Sequence, residues 1–352
     1  VDAQSVSGEE RAAAEVFVRH ADQLGLDASI DEVGNAIADR PSTGSDTLAH
    51  IVLLGHIDTV PGEIAVRIED GVLFGRGSVD AKGPLSAMLI AASRAQIPEG
   101  VRLTVAGAVG EEAAGSIGAR HLREQWRPDA CIIGEPSGVD GVTLGYKGRL
   151  LVRAVFECEN THSAGRDPTA CDEALNWWAS VRTIAETFNE GTTREFDRIQ
   201  ATIHGMESTS DGLVQRATLH AGFRLPPTMG PESLIKQLES IAGVRVTLAF
   251  DGGEHAHATT RNDPVVRAIS TGIRAQELRP RPKLKTGTAD LNDVAPIWKC
   301  PIAAYGPGDS ALDHTPNEHI HLSEYRSSIE VLLTALESLS RELVDSDQLS
   351  VV

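Results

Sequence analysis

The sequence predicts an α/β fold with a second, ferredoxin-like α+β domain inserted into it. Three observations lead there. Short apolar runs of strand length alternate with runs of helical period in both terminal parts of the chain. Three early strand-like runs end in a glycine followed by His or Glu: Gly55-His56, Gly110-Glu111-Glu112 and Gly134-Glu135. Between about Tyr146 and His255 the texture changes to strand-helix-strand-strand-helix-strand, the order of a ferredoxin-like sandwich. Open α/β sheets place their chemistry at the carboxyl ends of strands, so the second observation also marks a site.

Taken in order, Ser7-Gly8-Glu9-Glu10 has the form of a capping box before a helix over 11–24, which Gly25 ends. Residues 28–33 and 35–39 alternate like a hairpin, and 42–46 form a surface loop. The apolar run 48–54 is the strand that delivers His56. Residues 66–74, turning at Glu69-Asp70-Gly71, lead into Gly75-Arg76-Gly77-Ser78-Val79-Asp80. A helix over 85–95, a strand over 101–109, a helix capped by Ser116 and a strand over 129–133 complete this part. Inside the insertion, strands are expected at 150–158, 199–203, 217–224 and 244–250. Helices are expected at 170–188, with Leu175, Trp178, Val181 and Ile184 inward, and at 231–241, with Pro231 in its first turn. Glycine-containing stretches 145–148 and 251–254 read as hinges. The domains are therefore 1–145, 146–255 and 256–352. The last part carries a helix over 264–274, a strand over 302–305 and a helix from Ser323 to about 343.

The chain has 352 residues, 41% of them hydrophobic and 23% charged, enough to bury a core. A net charge of −18 argues against nucleic acid or an anionic membrane as a partner held by general attraction. No apolar run approaches the ~18 residues of a membrane span. None of the four cysteines forms a Cys-x-x-Cys pair, and Cys131 and Cys300 lie in or beside apolar runs. Reduced cysteines favour the cytoplasm.

The polar residues that follow strands are His56, Asp80, Glu111, Glu112, Glu135 and His314. Residues i and i+2 of an extended chain face one way, so Asp58 can hold the second nitrogen of His56. Two imidazoles among carboxylates suit zinc or cobalt better than magnesium. Five ligands and one spare glutamate suit two metal ions sharing a carboxylate, and Asp80, with two oxygens, is the natural bridge. Adjacent Glu111 and Glu112 cannot both point at one ion. One can ligate while the other serves as general base.

His56-x-Asp58, Gly-Arg-Gly-x-x-Asp80, Gly110-Glu111-Glu112, Gly134-Glu135-Pro136 and the late His314 together resemble the dinuclear-zinc aminoacylase/carboxypeptidase family, which includes succinyl-diaminopimelate desuccinylase, acetylornithine deacetylase and glutamate carboxypeptidases. The resemblance covers nearly the whole chain. It implies a central mixed sheet flanked by helices, as in zinc aminopeptidases, and an inserted lid and dimerisation domain. It implies two divalent metal ions, zinc or cobalt, with His56 and Glu135 on one, Glu112 and His314 on the other, and Asp80 between. Glu111 would be the general base and Asp58 would orient His56. Thr161-His162-Ser163-Ala164-Gly165 resembles the lid motif whose histidine reaches the partner subunit's site and steadies the oxyanion, and Arg224 resembles the carboxylate-binding arginine. Where many relatives carry an asparagine before that arginine's strand, the nearest candidate here is Asp211.

The stretches 55–64, 79–84, 285–290 and 305–310 resemble a branch of that family. Its members free lysine or ornithine from the C-terminal glutamate of a small acidic amino-group carrier protein. The resemblance thus implies a homodimeric amide hydrolase of amino-acid biosynthesis. A deacylase for acetylornithine or acetyllysine, or a non-catalytic binding protein on the same fold, are the alternatives. Lys147, Arg149 and Lys285 form a candidate basic patch for the carrier. The His-x-His pairs at 255–257 and 319–321 read as solvated or structural.

Overall fold

The computed structural model describes residues 1–350 except 45, 46, 114 and 163, and only the backbone of 347–350. Part of the expected loop 42–46, and Ser163 of the lid motif, therefore lie outside the described residues. The chain forms two compact units: Val1–Gly145 with Thr259–Leu284 and Ala289–Val352, and Tyr146–Ala258 with Lys285–Thr288.

The first unit opens with helix α1 (Arg11–Gln23) and strands β1 (Asp27–Ile30), β2 (Ala36–Arg40), β3 (Ala49–His56), β4 (Arg67–Glu69) and β5 (Val72–Phe74). Helix α2 (Lys82–Arg94), strand β6 (Val101–Ala108), helix α3 (Ile117–Gln125), and strands β7 (Ala130–Ile133) and β8 (Gly141–Tyr146) follow. The second unit comprises β9 (Gly148–Glu159), α4 (Ala170–Phe188), β10 (Gln200–Ser210), β11 (Val214–Leu225), α5 (Pro231–Ser240), β12 (Val246–Glu254) and β13 (His257–Ala258). The chain then forms α6 (Pro264–Ala275), β14 (Arg281–Lys285), α7 (Asp290–Trp298), β15 (Ile302–Ala304), β16 (His319–His321) and α8 (Leu322–Ser350).

The central sheet runs β1-β2-β6-β3-β7-β15-β8, with β14 beside β8. It is mixed: β6, β3, β7 and β15 are parallel neighbours, while β1, β2 and β8 run against theirs. Nearly every residue of β3, β6 and β7 is buried. Parallel strands covered on both faces read as continuous apolar runs, which is why these were legible. One core joins α1, α2, α6 and α8 to the sheet through Phe17, Met88, Ile269 and Leu336. A small sheet, β16-β5-β4, stands apart. Among the described residues, no helix is long and apolar enough to cross a membrane.

The second unit is an antiparallel sheet in the order β10-β11-β9-β12, the ferredoxin-like strand order. β9 alternates buried and more exposed positions, as a sheet covered on one face requires. Its core takes Phe156, Trp177, Val181, Leu219, Phe223 and Leu234.

Several local expectations are corrected. Ser7 does not cap α1: Glu10 holds the N-cap position, and the Ser7 hydroxyl donates to Asp58 instead. Ser116 precedes α3 with a left-handed backbone and no side-chain cap. On α4 the buried face is Ala170, Ala174, Trp177, Val181 and Ala185; Leu175 is half exposed because it faces away from the sheet. The expected hinge at 251–254 is strand, with an irregularity in its pairing to β9. Helix α7 was missed; it contains Pro296, and Ala289 at its N-cap offers no capping side chain.

Candidate metal centre

β6, β3 and β7 lie side by side and parallel, so their carboxyl ends share one edge of the sheet. His56 is the last residue of β3; Glu111 and Glu112 follow β6, and Glu135 follows β7. Asp80 arrives from the loop before α2. There Gly83 is indispensable, because a Cβ on it would lie 2.1 Å from the Ser78 carbonyl oxygen. His314 comes from the loop after β15 with φ 60, a left-handed conformation that β-carbon sterics disfavour.

The side chains converge. His56 Nε2 lies 3.2 Å from Asp80 Oδ1 and 3.8 Å from Glu135 Oε1. His314 Nε2 lies 3.1 Å from Asp80 Oδ2 and 3.0 Å from Glu112 Oε1. Asp80 thus turns one oxygen to each imidazole. Ligand atoms of His56, Asp80 and Glu112 all fall within 4.8 Å of one another, close enough to hold a metal ion.

Behind them, Asp58 is fully buried. His56 Nδ1 lies 3.3 Å from its Oδ1 and donates to its backbone oxygen at 3.1 Å, leaving Nε2 toward the cluster. Asp58 also accepts from the backbone N–H groups of Glu111 (3.1 Å) and Glu112 (3.0 Å) and from the Ser7 hydroxyl (2.7 Å). One carboxylate therefore orients the histidine and fixes the turn that presents the two glutamates.

The electrostatics call for cations. Burial, with Asp290, Glu112 and Asp80 nearby, pushes Glu111 well above the usual carboxylate range. Burial also raises Glu112, against the pull of His314. Burial would raise Asp80 too, but hydrogen bonds from His314 and His56 hold it low. Those hydrogen bonds to Asp80 and Glu112 lift His314 to about 10. Burial works against the charged His56 ring, yet Asp58, Asp80 and Glu111 raise it well above its ordinary value. Beside the cluster, Asp290 buries both carboxylate oxygens without a hydrogen-bond partner among the described residues. Two imidazoles and several buried carboxylates, one of them doubly facing, are a donor set that fits divalent metal ions.

Two residues that sequence reasoning missed support the site. Glu318 is fully buried, accepts the backbone N–H groups of Val79 (2.9 Å) and Asp80 (3.1 Å), and pairs with Arg76 at 2.8 Å. It ties the Asp80 loop to the segment that follows His314. Its place in Asn317-Glu318-His319, four residues after a candidate ligand, was the available signal. Asn35 bonds the Val109 N–H and the Gly118 carbonyl, fixing the chain around Gly110.

The remaining candidates lie in the second unit. His162 is exposed, and its Nδ1 accepts from the Ala164 N–H at 3.1 Å. Arg224, near the end of β11, is half-buried and donates to Thr288 Oγ1 at 2.9 Å. Asp211 makes the β10–β11 turn, accepting from the N–H groups of Leu213 and Val214. Two of the three residues of the expected basic patch, Lys147 and Arg149, are not free cations. Lys147 is wholly buried, and its Nζ donates to the carbonyls of Glu195 and Arg198 and to Gln200 Oε1. Arg149 pairs with buried Glu254 at 2.6 Å. The His-x-His pairs behave as read: His255 meets Glu232, and His319 tilts against Phe74 in β16.

A model of peptidase family M20/M25/M40 matches residues 52–338, and the chain belongs to that family. It is a hydrolase. A curated relative from Deinococcus radiodurans, named LysW-lysine hydrolase, is 45% identical over 347 residues, covering 96% of this chain and 94% of that protein. A provisionally named LysW-lysine/LysW-ornithine hydrolase from Thermococcus kodakarensis is 42% identical over 340 residues, covering 96% and 90%. Among solved structures, an M20 family metallo-carboxypeptidase from Sulfolobus solfataricus matches with a TM-score of 0.75 at 18% identity, covering 96% of this chain and 97% of that one.

Proposed function

We propose that this chain frees lysine, or ornithine, from the C-terminal glutamate of the amino-group carrier protein LysW in amino-acid biosynthesis. One observation carries the chemistry: Asp80 turns one oxygen to each of two imidazoles at the carboxyl edge of a buried sheet. The substrate reading draws support from relatives of that name that align with almost the whole chain.

His56 and Glu135 would hold one divalent ion, Glu112 and His314 the other, with Asp80 shared; zinc and cobalt both suit these donors. Ions bound there would polarise an amide carbonyl and acidify water. With an ion bound, Asp58 at Nδ1 would leave Nε2 of His56 free to ligate. Glu111 takes the proton from the attacking water on a carboxylate oxygen and returns it to the departing amine. Its backbone N–H, fixed by Asp58, aims it beside Glu112. His162, supplied by a partner subunit, donates to the developing oxyanion. Arg224 holds the carboxylate of the amino acid to be released.

A homodimer formed through the second unit is consistent with its long edge strand β10, whose Ile203 and Met206 remain exposed. Four cysteines without disulfides accord with a cytoplasmic setting.

The deciding assay sets LysW-linked lysine against acetyllysine and acetylornithine at matched concentration with metal-loaded enzyme. Preference for the carrier-linked amide is expected. Preference for an acetylated amino acid would replace this reading with a deacylase.

A further inference from the structure

The segment 261–283 carries Arg261, Arg267, Arg274, Arg279, Arg281 and Lys283 but only two acidic residues, in a chain with 50 acidic residues against 32 basic ones. One of the two acids, Asp263, is engaged: it caps α6 by accepting from the Val265 and Val266 N–H groups and receives the Thr259 hydroxyl. On α6, Arg267, Ser270, Thr271 and Arg274 share one face by helical spacing. Together with Arg261 and Arg279 they line a groove of about 510 Å³. Arg267 is paired with Glu342 of α8. Arg261, Arg274 and Arg279 are exposed, and no ion pair or hydrogen bond to another described residue holds their side chains. Three guanidinium groups without a carboxylate partner are unexpected on so acidic a protein.

The groove leads toward the site. Beyond Arg279, Arg281 pairs with Asp140 at 2.6 Å and its N–H donates to the Asp140 carbonyl at 2.8 Å. Lys283 Nζ donates to the Ser137 carbonyl at 2.6 Å. Residues 137–140 come two to five places after Glu135, so the basic track ends at the loop leaving the metal centre.

We propose that this arginine groove is a docking surface for a carboxylate-rich stretch of a polypeptide partner. The partner's chemistry follows from complementarity. Guanidinium forks match carboxylates, and on a chain of net charge −18 a cluster of arginines is where an acidic polypeptide meets least repulsion. The identity of that partner rests on the function proposed above, under which it is the carrier bearing the scissile amide. Exposed pairs of this kind contribute little each, so the groove governs encounter and salt dependence more than chemistry.

The test uses the full chain and a triple variant, Arg261→Glu/Arg274→Glu/Arg279→Glu, with Arg279→Gln alone as a milder control for folding. A fluorescent decaglutamate peptide and inorganic phosphate are titrated against each, across salt concentrations. The wild type is expected to bind the peptide, more weakly as salt rises, and the triple variant is expected to lose at least about tenfold in affinity. With LysW-linked lysine, KM should rise by a similar factor at unchanged kcat, while hydrolysis of a small glutamyl-lysine amide stays as it was. Equal peptide binding by wild type and variant, or binding of phosphate without peptide, overturns the docking surface. A wild type that binds the peptide at the groove yet ignores carrier-linked lysine keeps the surface and removes only the carrier as its occupant.

Discussion

At the carboxyl edge of the central sheet, candidate ligands leave buried strand ends or tight loops, and further hydrogen bonds hold their backbones or rings. His162 of the second unit is held more lightly: it lies exposed between β9 and α4, with two local bonds, from the Ala164 N–H to its ring and from the Gly165 N–H to its carbonyl. The contrast separates two ways of building a catalytic group. Asp58, Glu318 and Asn35 pay in burial for a fixed constellation, and the fixed constellation is what gathers several carboxylates at one edge of the sheet. A loop histidine costs the fold little and can be brought to its target only when the loop is ordered. The ligands and their supports should respond to substitution through metal binding, and His162 through turnover alone.

The largest effect is expected from removing metal. Stripping divalent ions with a chelator should abolish turnover and lower the unfolding midpoint, because the acidic cluster loses its counter-charge. Zinc or cobalt should restore both. Full activity in protein shown by elemental analysis to be metal-free would break the reading of the first region. Next, Glu111→Gln should cut kcat by roughly 10³-fold while two ions remain bound, as loss of a general base implies. A parallel loss of metal would make Glu111 a ligand instead.

His162→Ala sharpens the comparison from the other side. It should lower kcat by about 10²-fold, as for an oxyanion donor, with metal content and unfolding midpoint unchanged. Asp58→Ala should do the reverse in kind, weakening metal affinity by about 10–100-fold through a freed imidazole. Ser7→Ala, which removes one of Asp58's donors, should follow in the same direction with a smaller change. If Asp58→Ala bound metal normally, the carboxylate would be a fold element and no more.

Much of this was legible beforehand, for reasons particular residues make plain. Buried parallel strands announce themselves as apolar runs, so β3, β6 and β7 and the glycines ending them stood out, and His56, Glu111, Glu112 and Glu135 came with them. The length of α4 was readable from its periodicity, but its facing was not. Alanines 170, 174 and 185 bury the face that Leu175 was expected to take, and alanine carries too weak a hydropathy signal to compete. Helix α7 was hidden by Pro296 and an N-cap without a capping side chain. Glu318 was invisible as a support because its partners, Arg76 and the Val79 and Asp80 N–H groups, lie about 240 residues away in sequence, with separations of 242, 239 and 238. Lys147 misled for the opposite reason. Lysines are so seldom buried that a solvated role was the natural expectation.

That lysine gives the smallest of the expected effects and one with a definite sign. Lys147 is enclosed in the second unit with three oxygen acceptors, and burial lowers its ammonium to about 8. In the unfolded chain the same group keeps its proton to roughly pH 10.4. Between these values unfolding takes up a proton, so this residue makes stability rise with pH across that window, and its contribution is flat below it. Lys147→Met should remove the rise, leaving a stability curve that falls more steeply above pH 8 than that of the wild type. It should leave metal affinity untouched, because the residue belongs to the second unit. Identical pH dependence in denaturant melts of the two proteins would place the ammonium in water, and a change in metal affinity would erase the distinction between the two regions.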